Sequence, residues 1–111
     1  MPYTNFSQVA AESGFGIGAK GSETALFTKV FNGTTTIDPA SIAAGAQATA
    51  AITVTGAALG DYTLVAPPYD LQGIQMSHSV TAADTVTIVL RNGTAAAIDL
   101  ASGSWKAKVL R

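Results

Sequence analysis

Short runs of alternating apolar and polar residues, separated by turn residues, follow one another from Ala25 to the end of the chain. Alternation with a period of two is typical of strands, and helix-length patterns are almost absent. The pattern predicts strands over residues 26–31, 34–37, 48–55, 62–66, 74–80, 85–91 and 104–110. We therefore expect an all-β fold, a small antiparallel β-sandwich or jelly-roll-like domain of about seven strands.

Residues 1–23 lack this pattern. Four glycines lie between positions 14 and 21, and the apolar residues are widely spaced. Such a segment is typical of an extended N-terminal arm, so we expect an arm over residues 1–23 and one domain over residues 24–111. An arm of this kind needs apolar anchors to hold a partner, and the candidates are Tyr3, Phe6, Val9, Phe15 and Ile17.

Turn chemistry separates the predicted strands. Asn32-Gly33 and Asn92-Gly93 both match the strongest short hairpin signal, because Asn and Gly tolerate positive φ. Residues 81–84 predict a tight turn, and residues 67–73, which begin with two prolines, indicate a rigid loop. We therefore expect the chain to reverse direction at each of these places.

The chain has few charges for its size. Only 12% of its residues are Asp, Glu, Lys or Arg, against about 25% in an average soluble domain, while 48% are apolar. A small domain exposes much of its chain, so its surface must consist largely of Ala, Thr, Ser, Gly and aliphatic groups. Such a surface suits a protein that works in contact with other proteins.

Several classes of function are disfavoured by composition. The formal net charge is -1 and the basic residues are scattered singly, except for Lys106, Lys108 and Arg111 near the C-terminus, so we expect no nucleic-acid partner. The absence of cysteine removes thiolate metal sites, disulfides and cysteine nucleophiles. The first residues have no basic region followed by an apolar one, and no apolar stretch is long enough for a membrane span.

Motifs with possible chemistry are few. Residues 16–21 match G-x-G-x-x-G, but the residues that follow indicate a strand where a nucleotide-binding loop would open a helix. His78 is the only histidine, and it shares a strand face with Ile74, Met76 and Val80. A hydrogen-bonded packing role is the ordinary interpretation, and a metal site would need histidines from several subunits. We expect no metal and no cofactor.

Aromatic residues allow two interpretations. Trp105, Tyr62 and Tyr69 form either a platform for stacking sugars or, in the case of Trp105, part of the core, and a lone Trp on a terminal strand favours the core. We take Tyr62, Tyr69 and His78 as candidate contacts of a trimer or of the outer loops.

Residues 32–111 resemble small virion proteins of tailed bacteriophages, among them capsid decoration (cement) proteins and related β-rich head proteins. The resemblance rests on the succession of strands and turns in residues 36–42 (TIDPASI), 52–57 (ITVTGA), 60–61 (GD), 66–68 (APP), 80–86 (VTAADTV) and 90–94 (LRNGT). It implies a β-sandwich protein, commonly a homotrimer, on the outside of the head. It does not cover residues 1–23.

The resulting expectation is a non-enzymatic structural protein. It would be made in the cytoplasm of the bacterial host, bind the major capsid protein on the capsid exterior as a trimer and stabilise the head, the arm attaching it. No membrane or nucleic acid would take part. The alternative is a receptor-binding or tail-fibre tip module that recognises host surface glycans through loops such as residues 67–73.

Overall fold

The computed structural model describes residues 15–17 and 24–111. These residues form strands and connections with no helix, which confirms the all-β expectation. The strands are β1 (Phe15–Ile17), β2 (Thr24–Phe27), β3 (Val30–Ile37), β4 (Gln47–Thr53), β5 (Tyr62–Ala66), β6 (Ile74–Ala82), β7 (Thr85–Asn92) and β8 (Gly103–Leu110).

Six of these strands make two antiparallel sheets of three, ordered β3-β8-β5 and β4-β7-β6, while β1 and β2 pair with each other. Strand β3 of one sheet contacts β4 of the other, and β5 contacts β6 in the same way. The two larger sheets therefore pack face to face with their edge strands aligned. This arrangement is compatible with a small β-sandwich. The expected count of about seven strands and the jelly-roll-like connectivity remain predictions.

The core lies between the two larger sheets. Every second residue of each strand points inward and contributes its side chain to the core, because successive side chains of a strand point to opposite faces. Trp105, Ile52 and Ile88 are fully buried, and Trp105 is the largest of the buried side chains. The core interpretation of Trp105 is therefore confirmed. Further buried members come from the connections: Ile42, Val54, Ala57 and Leu100.

The hairpin expected at Asn32-Gly33 is wrong, because β3 continues straight through both residues as one eight-residue strand. A Cβ atom on Gly33 would collide with the carbonyl oxygen of Thr53 and would lie 2.7 Å from Cγ2 of Val54. The absence of a side chain at Gly33 therefore allows β3 to approach the end of β4 closely, which is a recognised use of glycine within strands.

Two predicted strand boundaries are also wrong. The strand expected over residues 26–31 is interrupted at Thr28 and Lys29, whose backbone N–H groups both donate to the carbonyl oxygen of Arg111. The strand expected over residues 48–55 ends at Thr53, because Val54 N–H donates to Asp84 O and Val54 O accepts from Ala57 in a turn.

The tight turn between β6 and β7 is confirmed at Ala83 and Asp84. Asp84 has a φ of 61°, a left-handed conformation that aspartate tolerates better than most residues. Its carboxylate accepts from Gly56 N–H at 2.8 Å, so this hairpin tip is fastened to the segment after β4.

The predicted arm falls mostly outside the described residues, and this includes the candidate anchors Tyr3, Phe6 and Val9. Phe15 and Ile17 lie in β1, which pairs antiparallel with β2. Part of the segment that was expected to be an extended arm is therefore one strand of a two-stranded sheet.

Candidate interaction surfaces

The outer side of the β3-β8-β5 sheet carries lysines on its central strand and apolar groups on an edge strand. We call it the lysine face. Cross-strand pairing aligns its outward side chains in three rows: Val30, Leu110 and Tyr62; Asn32, Lys108 and Leu64; Thr34, Lys106 and Ala66. Lys108 Nζ donates to Asn32 Oδ1 at 2.8 Å.

Large apolar side chains on the lysine face are open to solvent. Tyr62 is 73% exposed, Leu64 57% and Val30 41%. An open groove of about 330 Å³ runs over the second and third rows, between the stems of Lys106 and Lys108 and the side chain of Leu64. Adjoining apolar groups rimmed by polar ones mark interaction sites more often than single exposed residues do.

The outer side of the β4-β7-β6 sheet is nearly free of charge. We call it the hydroxyl face. Its outward side chains are Gln47, Thr49, Ala51 and Thr53 on β4, Thr85, Thr87, Val89 and Arg91 on β7, and Gln75, Ser77, Ser79 and Thr81 on β6. Among these, Arg91 alone is ionised, and the hydroxyls of Thr81 and Thr87 lie 2.6 Å apart across the strands. Alternation already predicts this outward set on β6 and β7 from the sequence.

One end of the domain is built from the connections over residues 38–46, 67–73 and 93–102. We call it the alanine end. The antiparallel bridge between Ile42 and Ile98 joins two of these connections, and Tyr69 joins the third, because its hydroxyl donates to Ala101 O at 2.5 Å. Exposed alanines occupy positions 40, 43, 44, 95, 96, 97 and 101, together with the exposed Asp38, Asp70 and Asp99.

Asn92 holds the alanine end together from inside. It is fully buried, and its Nδ2 donates to Ile42 O and to Ala96 O, each at 2.8 Å. Its Oδ1 accepts from the backbone N–H and the hydroxyl of Thr94. The sequence showed the Asn-Gly turn signal but gave no sign that this asparagine is a central, fully bonded group of the core.

At the opposite end, Arg111 and Asp61 form the ion pair of the described residues. Arg111 donates to the Asp61 carboxylate through Nε at 3.0 Å and through a terminal nitrogen at 2.9 Å. The guanidinium also lies 5.2 Å from the centre of the Phe31 ring. The Arg111 bond, helped by the N–H of Ala58, holds the pKa of the Asp61 carboxyl below its ordinary value of 3.8.

His78 links the two sheets. Its Nδ1 lies 2.6 Å from the hydroxyl oxygen of Thr63, so a residue of β6 is hydrogen-bonded to a residue of β5. His78 is half-buried on the same strand face as Ile74 and Val80, as expected for a hydrogen-bonded packing residue. In residues 28–111 no group of three or more His, Cys, Asp or Glu side chains is arranged to hold a metal ion.

The three aromatic residues do not form a shared platform. Trp105 is fully buried and points inward from β8, whereas Tyr62 is exposed on the lysine face. Tyr69 packs edge-on against Trp105, with ring centres 5.9 Å apart and planes at 89°. A sugar-stacking surface that includes Trp105 is therefore wrong. The use of Tyr62, Tyr69 and His78 in subunit contacts stays a prediction.

No protein-family model matches this chain, and no curated protein matches it significantly. Among the described residues, none lies in a helix with the length and hydropathy required to cross a membrane.

Proposed function

We propose that this chain is a non-enzymatic structural protein of a tailed-bacteriophage head: a decoration (cement) protein that binds the capsid exterior as a homotrimer and stabilises it. In this proposal the two larger sheets are a small β-sandwich of jelly-roll-like type, as the resemblance implies. The phage assignment itself rests on that resemblance in residues 32–111.

The observation that best supports a binding role is the hydroxyl face. Charged groups are depleted at the centres of protein interfaces, since removing their water is expensive. The hydroxyl face meets that condition. It is contiguous across three strands and consists of Thr, Ser, Ala, Gln and Val, with the charged Arg91 in the row at one end. Its side chains are short, so little rotamer freedom is lost when a partner covers them.

The hydroxyl face therefore binds the major capsid protein in this proposal. The N-terminal segment adds further contacts through Tyr3, Phe6, Val9, Phe15 and Ile17, the anchors that the sequence favours. Three copies in one trimer raise the effective concentration of each contact, so individually weak contacts add up to durable attachment.

The proposal is tested on heads purified from a mutant of the encoding phage that lacks this gene. Purified protein should co-sediment with these heads at a fixed ratio and raise the temperature at which they release DNA. Absence of binding to such heads would overturn the proposal. Binding to host cells or purified lipopolysaccharide instead of heads would favour the glycan-recognising tip module.

Two variants locate the contact. Thr87→Glu places a carboxylate at the centre of the hydroxyl face, and we expect it to reduce head binding at least tenfold. Thr55→Glu makes the same change at an exposed position outside both sheets, so it should bind like the wild type. Deletion of residues 1–14 leaves β1 and β2 in place and should also weaken binding, because it removes the predicted anchors Tyr3, Phe6 and Val9.

A further inference from the structure

The lysine face has exposed apolar groups and two lysines, but no carboxylate among its outward side chains. Its second and third rows carry Lys108 and Lys106 on the central strand. Two copies stacked face to face would oppose these lysines to each other, and like charges directly opposite each other destabilise a contact. The face is therefore unsuited to a symmetric contact with itself and suits a surface of opposite charge.

The alanine end of the same domain has that opposite charge. Pairing of Ile37 with Gly103 places the connections over residues 38–46 and 93–102 at one end, and residues 67–73 join β5 and β6 at that end too. Asp38, Asp70 and Asp99 are exposed there, and the ion pair of residues 28–111 is formed elsewhere, by Asp61 and Arg111.

Shape and chemistry agree with the charges. The exposed alanine methyls between the carboxylates are small, lose no rotamer freedom on burial and allow close approach to a groove. The lysine face offers such a groove, bordered by Leu64, with Tyr62 and Val30 in the adjoining row. A contact between the two surfaces would therefore add apolar burial to the attraction between lysines and carboxylates.

We propose that the lysine face of one copy binds the alanine end of a second copy. The contact joins two different surfaces, so it is heterologous, and three such contacts close a ring. This inference rests on the homotrimer of the proposed function and names the surfaces that form it. It also leaves the hydroxyl face uncovered for the capsid.

The test measures the mass of the purified full-length chain by light scattering coupled to size exclusion. Wild type should have the mass of three chains. Lys106→Glu with Lys108→Glu should lose the trimer, and so should Asp38→Lys with Asp99→Lys. The chain that carries all four substitutions exchanges the charges of both surfaces, and we expect it to recover the trimer.

A matched control separates this contact from a general effect of charge. Lys29→Glu with Arg91→Glu changes the net charge as much as the lysine-face pair, but on other surfaces, and should remain trimeric. Circular dichroism confirms that each variant is folded. Added NaCl should weaken the wild-type trimer, because salt screens exposed charge pairs.

A trimer that persists in either charge-reversed pair, or fails to return in the fourfold variant, overturns the inference. So does a wild-type chain that is monomeric at every concentration. The results with the charge-reversed variants leave the proposed function standing, because they concern only which surfaces form the trimer. A monomeric wild type also contradicts the homotrimer of the proposed function, whereas attachment to heads is measured separately on the heads themselves.

Discussion

Asn92 donates a hydrogen bond of 2.8 Å from its side-chain amide to the carbonyl oxygen of Ile42, fifty positions earlier in the chain. The same amide reaches Ala96 O, and its oxygen receives the N–H of Thr94. One buried side chain thereby joins the connection before β4 to the connection after β7. The alanine end depends on this group, because both connections are irregular there.

We expect Asn92→Ala to lower the free energy of unfolding by about 3 kcal/mol, since it leaves buried polar groups without partners. Urea denaturation measures the change. Asn32→Ala is the matched control: Asn32 is exposed and its amide accepts a hydrogen bond from the exposed Lys108, so its loss should change stability by less than about 0.5 kcal/mol. Equal losses in the two variants would contradict the assignment.

The same tripeptide, Asn-Gly-Thr, occurs at residues 32–34 and 92–94 with opposite roles. In the first copy the glycine matters, because its Cα lies against the backbone of Thr53. In the second copy the asparagine matters, and a Cβ on Gly93 would meet no atom within 4 Å. The tripeptide sequence alone therefore does not predict which of its residues is structurally important.

Gly33→Ala should therefore be destabilising by about 1–3 kcal/mol, the usual effect of forcing extra atoms into a packed site. The sign is informative, because Ala is otherwise favoured over Gly within a strand. Gly93→Ala should change stability by less than about 0.5 kcal/mol. Thermal or urea denaturation of both variants decides the matter, and a stable Gly33→Ala variant would contradict the close approach.

Much of the fold could be predicted because its strands alternate regularly. The strand over residues 62–66 has the expected bounds, and Trp105, Ala107 and Val109 face the core as alternation requires. The errors arise where a distant partner decides the outcome. Gly33 meets Thr53 across the two sheets, and Lys29 pairs with Arg111 at the far end of the sequence.

The interaction surfaces could be predicted only in part. The outward residues of β6 and β7 follow from the period of two, so two strands of the hydroxyl face are visible in the sequence. The alanine end is not, because Asp38, Asp70 and Asp99 come from three separate connections. They share one end only because β3 pairs with β8 and β6 with β7, and such pairing is set by the whole fold.

The ion pair between Asp61 and Arg111 should make stability depend on acid pH. The folded state holds the pKa of Asp61 below its ordinary value of 3.8, so the unfolded state binds more protons as the pH falls. The contribution of the pair is therefore complete above the ordinary pKa and is lost as the pH falls through the folded one.

The measurement is the free energy of unfolding of wild type and Asp61→Asn from about pH 7 down to about pH 2.5. We expect wild type to be the more stable at neutral pH and the difference to shrink below the ordinary pKa. Arg111→Gln should reduce the same pH dependence, because it removes the main cause of the lowered pKa. Parallel curves for wild type and Asp61→Asn would show that the pair contributes nothing.

The bond between Thr63 and His78 should stabilise the contact of β5 with β6. Thr63→Val keeps the shape of the side chain but removes the hydroxyl that lies 2.6 Å from His78 Nδ1. We expect a loss of about 1 kcal/mol, the usual net value of one hydrogen bond. Thr34→Val, an exposed change on the lysine face, is the control and should be nearly neutral. In a nitrogen-15 NMR spectrum the His78 ring signals should shift in Thr63→Val but not in Thr34→Val. Unchanged ring signals in Thr63→Val would show that the two sheets are not joined through this histidine.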